Sequence, residues 1–246
     1  MIKIIIQITK IVIAIVTALL FQSCINGSWN KETISGNGNV ATTTRTVTNN
    51  FNAVHAKTGL DIRIEQGNTT KIEVQADENL QEHIFTEVKN GILTIYSDAN
   101  ILNSEAQKVY ITVPNLNKIK SSSGANVKSE NKLNFEKLVL DSSSGSLIEI
   151  EVASQSLSCE SSSGSSIIVK GKTNTLDSQS SSGSTINLEE LIAEKAKANS
   201  SSGSSTIVNV TNDLNAHASS GSSISYVSKP NSLMIDESSG GSVTQN

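Results

Sequence analysis

Few side chains in this 246-residue chain have the type and spacing to do chemistry. Asp141 and Glu160 are the first candidates, because each lies four residues before a serine-flanked glycine. A chain wound once between them would stack the two carboxylates about 4.8 Å apart at the backbone. Paired carboxylates on one face are what glycoside cleavage needs, although surface carboxylates are ordinarily just solvated. His55, His83 and His217 are scattered, with no second ligand at metal-site spacing. There is no calcium-loop spacing and no Ser-His-Asp pattern. The abundant serines lack an oriented base. Catalytic, cofactor-binding and metal-binding residues are therefore each read as none.

Cysteine chemistry points to an address. Lys3 and Lys10 flank or interrupt an apolar run from Ile4 to Phe21 that ends in Leu20-Phe21-Gln22-Ser23-Cys24. A basic start, an apolar stretch and a small residue before a cleavage point describe an export signal. The cysteine after Ser23 resembles the bacterial lipobox, with Phe21 and Gln22 departing from its usual form. That resemblance implies a signal peptide over 1–23 and a lipidated Cys24, a membrane partner through the lipid, and the outer membrane as location, facing periplasm or surface. The competing reading is an uncleaved membrane helix, for which the run is short and broken by Gln7 and Lys10. If Cys24 is acylated, Cys159 is the sole remaining thiol, and an intramolecular disulfide is ruled out despite export.

The elements that would position these residues are written as a repeat. Glycines wrapped in serine recur at Gly124, Gly145, Gly164, Gly183, Gly203, Gly221 and Gly240, at intervals of 21, 19, 19, 20, 18 and 19 residues. Ser-Ser-Ser-Gly is also the composition of a flexible linker, but the columns around the glycine keep phase. Five residues before it stand Ile119, Leu140, Cys159, Ser178, Ala198, Ala216 and Ile235; three after it stand Val127, Ile148, Ile167, Ile186, Thr206, Ile224 and Val243. Alternation of these with polar neighbours is the period-two mark of a strand with one buried face. The sequence thus predicts an all-β fold, a right-handed single-stranded parallel β-helix of about 19–20 residues per coil, each coil burying its apolar face by stacking on the next.

Carried through the serine run, the same parity puts the third residue before and the first residue after each glycine inside. Those columns are almost all Ser or Ala, the small side chains a narrow interior demands, and their hydroxyls need partners. Each glycine is read as a bend requiring positive φ or close backbone approach. Cys159 falls in an inner column and is read as a small buried residue. His217 falls in an outer one.

Gly59 carries the same frame, with Val54 and Ala56 before it and Leu60, Ile62 and Ile64 after. Strand-like runs follow at Lys71–Ala76, Gly91–Tyr96 and Val109–Val113, and Leu80, Ile84 and Val88 mark a short helical or irregular excursion. The domain expected is therefore 51–246, less regular over 51–123 and a regular ladder over 124–246. The polar stretch 24–50 is expected to serve as a tether.

Without residues 1–23 the chain has 17 basic and 23 acidic residues, a net charge of −6, and only Arg45 and Arg63 as arginines. That balance speaks against nucleic acid as a partner.

Phe51-Asn52-Ala53-Val54 leading to Gly59-Leu60-Asp61-Ile62-Arg63-Ile64-Glu65-Gln66-Gly67, then Lys71-Ile72-Glu73-Val74, Gly91-Ile92-Leu93-Thr94-Ile95, the Val113-Pro114-Asn115-Leu116 turn and the Ser-Gly ladder together resemble one family. It is the bacterial auto-transporter adhesins with a head GIN domain, common as exported lipoproteins of Bacteroidetes. The resemblance implies a β-helical body at the cell envelope and an adhesive role, and brings no catalytic residues with it. The reading adopted is a non-enzymatic lipid-anchored binding or scaffold protein that meets a glycan or surface-protein ligand through a flat polar face. The alternatives are a polysaccharide lyase or hydrolase and a purely structural envelope spacer. The open coil ends invite self-association into a homo-oligomer unless the residues after Gly240 blunt them.

Overall fold

The computed structural model describes residues 31–47 and 49–246, together with Lys10 and Val12. Two compact units divide the chain, Met1–Thr33 and Ile34–Asn246, and the repeat lies wholly in the second. Among the described residues no helix is long and apolar enough to cross a membrane. Apart from Lys10 and Val12, the segment 1–23 expected to be a signal peptide falls outside the described residues, as does Cys24.

The regular ladder follows from the period-two alternation. Leu133–Ser142, Leu147–Ser161, Ser166–Ser180, Thr185–Ser200 and Ser205–Ala218 are strands, each pairing parallel with the next. Their register places Ile119 beside Leu140, Leu140 beside Cys159, Cys159 beside Ser178, Ser178 beside Ala198 and Ala198 beside Ala216. Each of these side chains is fully buried. The column beginning Val127, Ile148, Ile167 and Ile186 is stacked and buried in the same way. Burial of one such aliphatic side chain is worth about 1.5–3 kcal/mol, and stacking is how a coil with one apolar lining obtains it. The result is a parallel β-solenoid of about seven turns.

The corners have a common geometry. Gly145, Gly164, Gly183 and Gly203 have φ between 67° and 69°, and the serine before each has φ between 53° and 55°. Two successive left-handed residues, closed by a bond such as Ser165 N–H to Ser162 O at 3.3 Å, make a tight turn of the type I′ kind. Nothing lies within 4 Å of a Cβ built on these four glycines, so positive φ and not crowding calls for glycine there. Each corner also bonds to the next: the N–H of Gly124, Gly145, Gly164, Gly183, Gly203 and Gly221 each reaches the carbonyl of the left-handed serine one coil on, at 3.1 Å.

The small inner columns are satisfied through the same corners. Ser146 Oγ stands 2.8 Å from the carbonyls of both Ser121 and Ser143 and accepts the Ser143 N–H at 3.1 Å. Ser165, Ser184 and Ser222 reach back to Ser142, Ser161 and Ser200 in the preceding coil at 2.7–2.8 Å. Thr206 replaces an aliphatic residue in its column, and its hydroxyl joins Ser180 and Ser200 at 2.8 and 2.9 Å. Ser178 is the exception: its buried hydroxyl has no hydrogen-bond partner.

Variation in coil length is absorbed away from the corners. Register shifts fall between Ile168 and Gly171, between Leu188 and Ile192 and between Ala193 and Lys195. Gly171 has φ 115°, and a Cβ there would run into the Val152 carbonyl.

The opening section departs from the expectation in three ways. First, the coils do not stack in chain order. Ala53–Ala56 and Asp61–Gln66 lie between Ile92–Ser97 with Gln107–Val113 on one side and Lys118–Ser121 with Asn126–Ser129 on the other. Gly59 thus occupies a corner of the same stack, its N–H bonded to Ser123 O at 3.0 Å.

Second, the pairing is not parallel throughout. Lys71–Asp77 runs antiparallel to Gln107–Val113, and Ile84–Lys89 runs antiparallel to Ile92–Ser97 through an Asn90-Gly91 turn with φ 52° and 75°. The irregular excursion is a 3-10 helix, Glu78–His83, shorter than the spacing of Leu80, Ile84 and Val88 implies, because Ile84 already belongs to a strand.

Third, the tether expected over 24–50 is partly sheet. Val40–Arg45 pairs antiparallel with Lys71–Asp77, and the Leu102 N–H bonds to Ile34 O at 3.0 Å. Buried Asp77 fastens this layer, its carboxylate accepting N–H groups from Gly38, Glu105 and Ala106 at 2.9–3.0 Å. The Ala106 bond, with those of Gly38 and Glu105, outweighs burial and holds its pKa below the usual carboxylate range.

The two ends of the stack therefore differ. One is closed by antiparallel strands. At the other, Ser232–Glu237 and Ser242–Gln245 form the last coil, where Ile235, though in an inner column, is 43% exposed.

Candidate functional site

The outward residues beside the corners form a groove. The column four before each glycine runs in register through Lys120, Asp141, Glu160, Gln179, Asn199, His217 and Asp236. The column two before it is Ser122, Ser143, Ser162, Ser181, Ser201, Ser219 and Ser238. Between these columns lies a depression of about 430 Å³ bordered by Asp141, Glu160, Gln179, Asn199 and His217 and by serines including Ser162, Ser181, Ser201 and Ser219. The strand places them there, since every second residue faces out and every coil repeats the position.

The charges at its ends are engaged. Asp141 Oδ2 is 2.8 Å from Lys120 Nζ and 3.3 Å from Lys118 Nζ. Burial pushes its pKa up, but the hydrogen bonds and charges of the two lysines prevail and keep it below the usual range. Asp141 is thus held as an anion, the opposite of what a carboxyl acting as general acid beside Glu160 needs. His217 Nδ1 lies 2.9 Å from Asp236 Oδ2. The centre of the groove is different: the side chains of Glu160, Gln179 and Asn199 have no hydrogen-bond or ion-pair partner among the described residues, and they offer donors and acceptors one coil apart.

The other candidates are dispersed. His83 Nδ1 pairs with Asp98 at 2.9 Å. His55 is half-buried with Nε2 3.0 Å from Ser122 Oγ, and burial, with Lys57, Lys120 and Lys118, lowers its pKa to about 4. Among the described residues no three His, Cys, Asp or Glu side chains gather to hold a metal. Cys159 is fully buried, and burial pushes its thiol pKa up.

Sequence reasoning missed how the two outward columns run on beyond the groove. His55 pairs with Lys120 on one side and Thr94 on the other, so the outer column extends from Asp141 through Lys120 and His55 to Thr94. One step further along each strand, the serine column extends from Ser122 through Lys57 to Tyr96. Tyr96 stacks on Phe85 across the hairpin, with ring centroids 5.2 Å apart and 14° between planes. No local signal joins residue 96 to residue 57, because the coil order is inverted there. Only the Asn90-Gly91 hairpin signal, which pairs Phe85 with Tyr96, was within reach.

A family model described as "Putative auto-transporter adhesin, head GIN domain" matches residues 50–230. The chain belongs to this family. Crystal structures with the same fold include a "putative adhesin" of Bacteroides fragilis, 22% identical with a TM-score of 0.80, covering 87% of this chain and 100% of that one. A "putative lipid binding protein" of Parabacteroides distasonis is 19% identical with a TM-score of 0.72, over 87% and 100%. A "putative adhesin" of Parabacteroides merdae is 19% identical with a TM-score of 0.67, over 87% and 99%. No curated protein matches the chain. Membership of a head GIN adhesin family fits an exported, surface-directed protein, and these likenesses show the fold.

Proposed function

We propose that this head GIN protein is a non-enzymatic adhesin of the cell envelope, anchored through a lipidated Cys24 after loss of residues 1–23, that holds an extended polymer in the groove beside its corners. The observation that carries the reading is the run of unengaged side chains Glu160, Gln179 and Asn199 at successive coils, flanked by serine hydroxyls. A repeating ligand meets a repeating receptor, so many weak polar and water-bridged contacts add along the axis. Asp141, locked by Lys118 and Lys120, leaves Glu160 without a proton-donating partner, which favours binding over hydrolysis.

The test is attachment of cells carrying the protein to glycan- and matrix-coated surfaces. The triple variant Glu160→Ala, Gln179→Ala, Asn199→Ala should lose most attachment while keeping its circular dichroism and melting temperature. Unchanged attachment rejects the groove, and turnover of a glycan abolished by Glu160→Gln alone establishes the enzyme instead.

A further inference from the structure

We infer that the groove ends in a subsite for an acidic sugar, built from the Phe85–Tyr96 stack and the ammonium group of Lys57. The inference rests on the adhesin reading above and names the chemical class of its ligand. Three observations converge. The stacked rings are only half-buried on the outer face, and their column leads directly into the serine row of the groove. Phe51 and Tyr110 also keep partial exposure, but Phe135 and Tyr226 lie in the core.

Lys57 occupies the coil between Tyr96 and Ser122, and its ammonium group has no ion-pair partner among the described residues. Lys118 and Lys120 follow one coil on and share a single carboxylate, Asp141. Two carboxylates lie near the Tyr96 ring, and both are engaged: Glu87 accepts the Tyr96 hydroxyl at 3.0 Å, and Asp98 lies 2.9 Å from His83 Nδ1. His55, in the same coil as Lys57, has its pKa lowered first by burial and further by Lys57, Lys120 and Lys118, against an opposing pull from Asp141.

An apolar ring surface beside an unneutralised cation and a row of hydroxyls fits one chemistry, a pyranose bearing a carboxylate. The C–H groups of the sugar pack on the outer face of the ring pair, the carboxylate meets Lys57, and the hydroxyls of the following residues continue along Ser122 and Ser143. A neutral polymer would leave Lys57 idle, and an amino sugar would meet repulsion.

Isothermal titration of the purified protein with hexagalacturonate, its methyl ester, cellohexaose and monomeric galacturonate is the test. Hexagalacturonate should bind, weaken with added salt and lose about tenfold in affinity on esterification. Lys57→Gln and Tyr96→Ala should each weaken hexamer and monomer by about tenfold, with Tyr96→Phe close to wild type. Gln179→Ala with Asn199→Ala should weaken the hexamer and leave the monomer unchanged.

Equal binding of hexagalacturonate and its methyl ester, or insensitivity to Lys57→Gln in a protein with unaltered circular dichroism, overturns the acidic-sugar subsite. Hexamer binding that responds to Tyr96→Ala but not to the Gln179 and Asn199 changes overturns the groove and leaves the subsite standing. Absence of binding to all four probes overturns the subsite, while attachment to a matrix protein through the groove would still uphold the adhesin reading.

Discussion

The imidazole Nε2 of His55 lies 3.0 Å from the hydroxyl of Ser122, 67 residues later in the chain. This contact joins the inverted opening coil to the first corner of the serine ladder. It is made by a histidine that folding keeps neutral, since burial and the lysines around it lower its pKa from 6.5 to about 4.

A pH dependence follows from that depression. The unfolded chain takes up the proton near pH 6.5, the folded protein near pH 4, so the unfolded state binds more protons in between. The stabilisation is complete above pH 6.5 and lost as pH falls towards 4. Denaturant midpoints measured across this window should decline in the wild type, and His55→Gln should flatten that decline. A slope untouched by the substitution removes His55 as its source.

Corner substitutions have opposite expected signs at neighbouring residues. Gly183 has φ 67° with open space around it, so Gly183→Ala should cost about 1 kcal/mol from left-handed backbone alone. Ser182, exposed and at φ 54°, should tolerate Asn with a small gain, because Asn enters that region more readily. Chemical denaturation of the two variants measures both. Gly171→Ala should be worse than either, because its Cβ meets a carbonyl.

Ser178 sits between Cys159 and Ala198 with its hydroxyl unpaired. Ser178→Ala should therefore raise stability by about 1 kcal/mol, the scale of an unsatisfied buried hydroxyl. A loss of stability would mean that the hydroxyl has a partner, such as an internal water.

The final strand, Ser242–Gln245, covers the edge of Ser223–Tyr226, with Val243 beside Ile224 and Gln245 beside Tyr226. Deleting residues 242–246 should uncover Ile224 and the Tyr226 ring, lower the melting temperature and produce association visible by light scattering. A truncated protein as monodisperse and as stable as the intact one would show that the tail contributes nothing to closing this end.

Much of the architecture could be read in advance, because two periods were superimposed. Ile119, Leu140 and Cys159 announced a buried face by alternation and a stack by recurrence. The left-handed serine was hidden because Ser180, Ser181, Ser182 and Ser184 all surround Gly183, so composition gave no contrast at Ser182. Val40–Arg45 was hidden because Val-Ala-Thr-Thr-Thr-Arg has too little apolar contrast to mark a strand, and its partner Lys71–Asp77 is distant in sequence. The inverted coil order was unreadable, since periodicity reports that coils stack and not which neighbours they choose. That inversion also concealed the continuation of the serine column to the Phe85–Tyr96 pair. The isolated pair Asp141 and Glu160 was visible as a column, while the clamp of Lys118 and Lys120 on Asp141 needed the register.

The most direct measurement is binding of the purified protein to an array of glycans and matrix proteins, with groove residues Gln179 and Asn199 changed to Ala in one variant. A second variant has Lys137 and Lys172, exposed away from the groove, changed to Ala. The account predicts a ligand signal that the groove variant loses and the Lys137/Lys172 variant keeps. Equal signals from both variants and the wild type would contradict it.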